Sequence, residues 1–200
     1  MASERFRART APTGLALVQE LVNTHSTERS GDDLLADPTS AQDWLRAAIE
    51  AWAHDRGLEP PDSTLGEADL PVLRDLRATL HDLLIVAPDQ RPTGTPANLG
   101  TGRARAELVA DEHGRVALLP VGTGRGWLES AVWSEILLAQ QTGLWSRLKL
   151  CREAGCRSAF YDASRNGSGV WHNVRTCGNI ANLHASRSRA KSRAATDRME

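Results

Sequence analysis

Two hundred residues with 40% hydrophobic content suit a soluble globular protein of one or two domains, and no apolar run approaches the about 18 residues that a membrane helix needs. The formal net charge of −1 hides a division: residues 1–146 carry 13 Lys+Arg against 21 Asp+Glu, while 147–200 carry 11 against 4. A body at −8 and a C-terminal segment at +7 suggest an anionic partner for the segment, or docking of the two parts on each other.

The opening MASERFRART lacks the apolar centre of a signal peptide, so a cytoplasmic location is expected, with no membrane partner. Residues 1–12, with Arg5, Arg7 and Arg9, read as a flexible basic lead. Leu15, Val18, Leu21 and Val22 then recur at helical spacing in TGLALVQELVNTHS. The run Asp37-Pro38-Thr39-Ser40 offers a turn and an N-cap. Leu45, Ala48, Ile49 and Trp52 form an apolar stripe behind it, and Gly57 is placed to end the helix. Trp44 and Trp52 are expected in the core.

After Pro60-Pro61, the leucines at 73, 76, 80, 83 and 84 mark another amphipathic helix closed by Pro88, with His81 beside the stripe as a packing residue. The turn-rich connector DQRPTGTPANLGTG leads to ARAELVAD and GRVALLPV. Together these read as a β-hairpin turned by Asp111-Glu112-His113-Gly114. Gly122-Thr123-Gly124-Arg125-Gly126 lacks the Gly-Lys-Ser/Thr ending of a phosphate loop and reads as a hinge into a helix with Leu128, Val132, Ile136 and Ala139 on one face, interrupted at Gly143.

All three cysteines lie in the next stretch, in the pattern Cys151-x4-Cys156-x15-His172-x4-Cys177. Two close ligand pairs joined by a loop are the spacing of a tetrahedral Zn²⁺ site, and a reducing compartment would keep the thiols free for the metal. Asp162 and His184 are alternative ligands, and buried small hydrophobes are the alternative role for the cysteines. Arginines and polar residues around them argue for the metal. Three thiolates and an imidazole fill the shell, so the site is expected to be structural and the protein not an enzyme. No G-x-S-x-G or H-E-x-x-H motif is present, and Asp32-Asp33 reads as a solvated or capping pair. Ser164-Arg165-Asn166 reads as a turn between the ligand pairs, and Gly178-Asn179 as a close approach where a helix begins.

Arg147-Leu148-x-x-Cys151, Cys156, Phe160-Tyr161-Asp162-x-Ser164-Arg165-Asn166, Trp171 and Cys177-Gly178-Asn179 together resemble the CGNR-type zinc finger. LVQELVNTH, DLLADPTSAQDWL and the hairpin resemble the ABATE domain that accompanies this finger. With the residue pattern, the resemblance implies an α+β protein, with a mainly helical ABATE-like domain carrying the β-hairpin over 13–146 and a small Cys3His finger over 147–185; the basic, serine-rich residues 186–200 read by composition as a flexible tail, a frayed helix or a disordered arm. It also implies a stress-induced transcription regulator. His172 stands where the family often has cysteine, which keeps the zinc chemistry, and Ile180 replaces the signature arginine. The expected function is therefore zinc-dependent DNA binding, with a body that senses a signal or forms a homodimer. The alternative is a protein-interaction module with a purely structural zinc. The expected nucleic-acid contacts are Arg147, Lys149, Arg152, Arg157, Arg165, Arg175, Arg187, Arg189, Lys191 and Arg193.

Overall fold

A computed structural model describes residues 1–92, 102–184 and 186–187 of the chain. Among the described residues the fold is α+β, about half helical with two small antiparallel hairpins. Its elements are α1 (Ala2–Arg5), α2 (Leu15–Val22), α3 (Pro38–Arg56), α4 (Asp69–Ile85), β1 (Ala106–Ala110), β2 (Val116–Pro120), α5 (Gly124–Gln141), β3 (Leu148–Leu150) and β4 (Ala159–Tyr161). Among the described residues no helix is long and apolar enough to cross a membrane.

Local chemistry explains most of these boundaries. Asp37 caps α3, its carboxylate accepting from Thr39 N and Ser40 N at 3.0 Å each, with Pro38 at the first helical position. Gly57 ends α3 in the left-handed region at φ 63°, where Leu58 N reaches back to Ala53 O. The stripe of α4 buries Leu73, Leu76, Leu80 and Leu84, and Leu83 packs at its edge. In the first hairpin Leu108 faces Leu118 and Ala110 faces Val116, with Gly114 turning at φ 76°. The glycine-rich entry to α5 is a tight corner rather than an open hinge: Gly124 begins the helix at φ 51°, and a Cβ there would overlap the Thr64 carbonyl.

The short helix α2 is the centre of the packing. Leu15, Val18, Leu21 and Val22 are fully buried, and the helix touches α1, α3, α4, α5 and β4. Trp44 and Trp52 are both core residues at 5% exposure. Trp52 meets Trp127 edge to face at 5.1 Å and donates from Nε1 to buried Glu135 at 2.8 Å, where Arg56 supplies the counter-charge. Leu148, Leu150 and Ala159, from the segment that carries the cysteines, belong to the same core as the helices.

The N-terminal lead, expected to be flexible, is packed down instead. Ala2 N and Ser3 N donate to the buried Glu20 carboxylate at 2.5 and 3.0 Å, Ala11 N donates to Gln19 Oε1 at 2.6 Å, and Phe6 is 8% exposed. Its three arginines suggested a solvated arm, but Ala2 and Ala11 on either side of them enter the main core and Phe6 between them packs on the cysteines. The connector residues 93–101 lie outside the described residues, as does most of the expected tail, 188–200.

Candidate metal centre

The first ligand pair sits on the β3–β4 hairpin. Strand β3 delivers Cys151, a turn follows in which Cys156 N donates to Glu153 O, and Cys151 N donates to Ser158 O at 2.8 Å. Arg157 takes φ 52° to close the turn. The second pair arrives through a loop tied to the first, since Arg152 N donates to Val170 O at 3.0 Å. Asn173 then caps a π-helical turn, Val174–Gly178, accepting from Arg175 N and Thr176 N, and Cys177 N bonds Asn173 O. Gly178 lets Trp171 and Val174 approach closely, since a Cβ there would lie 3.2 Å from the Trp171 ring and 3.3 Å from Val174 Cγ1. Residues 179–184 continue as helix, as Gly178-Asn179 suggested.

The result brings Cys151, Cys156, His172 and Cys177 together, with one ligand atom from each lying within 4.8 Å of all the others. His172 faces the sulfurs through Nδ1, which is 3.3 Å from Cys156 Sγ and 3.6 Å from Cys177 Sγ. The cysteines are buried at 0, 6 and 1% exposure, with Phe6 packed against them and Trp171 at the edge. Asp162 and His184 stand outside the group.

Protons alone serve this cluster badly. Cys151 is pushed up, chiefly by its hydrogen bond with Cys156 and by burial, and burial together with the charge of Cys156 pushes Cys177 up. Cys156 is held down as the one thiolate by the Cys151 S–H, His172 and Ser158, against its own burial. Three buried sulfurs and an imidazole nitrogen in one small space fit a soft-to-borderline dication that replaces the shared protons. The donor set is the four residues read from the spacing.

Asp162 organises the loop between the ligand pairs. Its carboxylate accepts from Lys149 Nζ at 2.7 Å, Gly169 N at 2.7 Å and Ser164 N at 3.0 Å. Burial opposes its ionisation, and the Lys149 pair and these N–H donors overcome that, holding it well below the usual carboxylate range. Lys149 also donates to the carbonyls of Gly167 and Gly169, so its three donors are taken inside the finger. Read from the sequence as a nucleic-acid contact, Lys149 is a clamp on the ligand loop. Arg147 is also turned inward, donating to the Ser164 and Asp162 carbonyls. Residues 164–166 form the expected turn, but the hydroxyl beside the sulfurs is that of Ser158, 3.2 Å from Cys156 Sγ.

Arg152, Arg165, Arg175 and Arg187 are exposed, and Arg157 is half-buried. Arg189, Lys191 and Arg193 lie outside the described residues. The residues that sequence reasoning missed are those joining the finger to the body. Asn23 pairs with Ala159 through both backbone groups, at 2.7 and 3.0 Å, and Gln19 Nε2 also reaches Ala159 O. His25 Nε2 approaches Cys156 O at 3.0 Å, and His81 Nε2 approaches Arg157 O at 3.2 Å. Phe6 carried a faint signal, being one of only two phenylalanines in the chain and lying in a basic lead.

Residues 147–190 match the sequence model of the CGNR zinc finger family, a match that covers less than a quarter of the chain. No curated protein matches the sequence.

Proposed function

We propose that the protein is a zinc-finger DNA-binding transcriptional regulator, in which Cys151, Cys156, His172 and Cys177 hold Zn²⁺ and the segment around them contacts duplex phosphates. Zinc is the ion best suited to three thiolates and an imidazole. The donor set is closed, so the ion's part is to hold the finger together and not to activate water. The helical body is the part assigned to sensing a signal or to forming a homodimer.

One observation carries the nucleic-acid reading. From residue 163 to 196 the chain has no carboxylate and six cations, and the described ones, Arg165, Arg175 and Arg187, are exposed. A one-signed segment of this kind supports sequence-independent phosphate binding, which weakens steeply with salt. Mobility-shift titration of duplex DNA against salt tests it. Affinity should fall with ionic strength, and Arg165→Glu and Arg175→Glu should each weaken binding and flatten the log–log salt slope by about 1. No binding at low ionic strength would sink the reading.

A second reading is favoured by the turn and helix around the last ligand, where Val174 before it is 67% and Leu183 after it 49% exposed and Ile180 replaces the signature arginine. Apolar residues among arginines suit a protein surface. A partner complex that survives nuclease and is lost in Val174→Asp with Leu183→Asp would favour that module over a DNA reader.

A further inference from the structure

A cleft of about 370 Å³ opens where the C-terminal end of α4 meets the finger. One wall is the chain leaving the helix, from Leu84 to Asp89, and the other is the ligand loop, from Gly167 to Val170, with Lys149 and Leu150 between them. Its size is that of a small-molecule site. The lining combines two chemistries: Leu84, Val86, Leu150 and Val170 supply apolar surface, and Arg91, Lys149, Arg152 and Arg157 supply cations.

The cations are not equivalent. Lys149 is neutralised by Asp162. Arg91 stacks against Trp145 and gives its guanidinium to the carbonyls of Leu84, Val86, Trp145 and Leu148, at 2.7 to 3.3 Å. These carbonyls satisfy its N–H groups without supplying a negative charge, and burial lowers its pKa to about 10. Neither Arg152 nor Arg157 has a side-chain hydrogen bond or ion pair among the described residues. Three arginines thus face the cleft against one carboxylate in the lining, that of Asp89. A half-buried cation held by neutral carbonyls, beside two arginines whose guanidinium groups have no partner among the described residues, favours an anion in the cleft.

We propose that this cleft binds a small organic acid, a carboxylate or phosphate monoester on an apolar body, with Arg152 and Arg157 holding the acid group and Leu84, Val86, Leu150 and Val170 enclosing the rest. Arg91 favours the anion from behind through its charge. The ligand would touch α4 on one side and the loop between the zinc ligand pairs on the other. Taking it as the signal of the proposed regulator rests on that function. The binding site itself does not, and binding of the acid is therefore measured first without DNA.

Calorimetric titration of the zinc-loaded full chain with phenyl phosphate and with benzoate, and with phenol as the neutral control, measures it. At least one of the two acids should bind saturably at one site and phenol should not. Exposed Arg152→Gln and half-buried Arg157→Gln should each weaken binding about tenfold, with zinc content and circular dichroism unchanged. Arg157→Lys should retain part of the affinity. Absence of saturable binding by either acid overturns the proposal, as does equal binding by both Gln variants. Displacement of the acid by short duplex DNA, with DNA affinity lost in the same two variants, would also overturn it and assign these arginines to the phosphate track.

Discussion

At the scale of single residues, the ion pair between Arg77 and Asp33 shows how the acidic body uses its charge. Two parallel bonds of 2.7 Å join the guanidinium to the carboxylate, Leu35 N adds a third at 2.8 Å, and Arg77 also reaches Thr24 Oγ1. Burial alone would raise the Asp33 pKa. The Arg77 bonds and the Leu35 N–H outweigh it and leave the carboxylate below its ordinary range. Asp33→Asn removes the charge and leaves a guanidinium that is 13% exposed with a poorer partner, at a cost of about 3 kcal/mol, the low end for such pairs because Asp33 is partly solvated. Because the folded pKa is depressed, this stability is present above the unfolded value of about 3.9 and is lost as pH falls through the folded value. Urea denaturation of wild type and Asp33→Asn should therefore show a gap at neutral pH that narrows in acid. Protonation of the metal ligands is common to both chains and cancels in the difference. A gap independent of pH would place the effect in packing instead.

At the scale of elements, the decisive contact is between α2 and β4. Asn23 is fully buried and closes a two-bond ring with the backbone of Ala159, while its amide also donates to Ser3 Oγ at 2.9 Å. Asn23→Ala would leave the N–H of Ala159 without its partner, costing about 2–4 kcal/mol. The loss should fall on the finger as well as the body, seen as faster hydrogen exchange in β3 and β4 and weaker metal retention. Normal exchange there would mean that the strands stand without α2. Metal removal tests the same joint from the other side. Phe6 packs on the cysteines, so chelation should release residues near Phe6 together with 151–178, while α3 to α5 keep their protection. Protection retained near Phe6 would show that the lead is anchored by its bonds to Glu20, Gln19 and Asn23 without the metal site. This joint also marks the limit of sequence reading. The ends of α3 were legible because Asp37 and Gly57 act within a turn of themselves, and the ligand set because Cys-x4-Cys and His-x4-Cys place their donors locally. Asn23 and Ala159 are 136 residues apart, and nothing near either announces the other. Lys149 shows a related limit: a lysine in a basic segment reads as solvated, whereas Asp162 and the Gly167 and Gly169 carbonyls close around it.

At the scale of the whole molecule, the charge division at residue 146 does not coincide with a division of the core. Leu148, Leu150 and Ala159 lie beyond the charge boundary and pack with the helices, whereas Phe6, from the opposite end of the chain, packs with the cysteines. Each part therefore covers surface that the other cannot leave open. A chain ending at 146 would expose the buried amides of Gln19 and Asn23 and strip apolar neighbours from the centre of α2, whereas a chain ending at 187 keeps every one of these contacts. Exposed amides regain water, so the larger loss is apolar: two buried leucines at about 1.5–3 kcal/mol each and an alanine methyl at about 0.8 kcal/mol reach the lower end of the stability of an ordinary domain. Residues 1–146 alone should lose the sharp thermal transition of the full chain, while the 1–187 chain should keep it and bind DNA less tightly for want of Arg189, Lys191 and Arg193. A cooperative transition in 1–146 at the temperature of the full chain would mean that the body closes its own core, and that the finger rests on it without holding it.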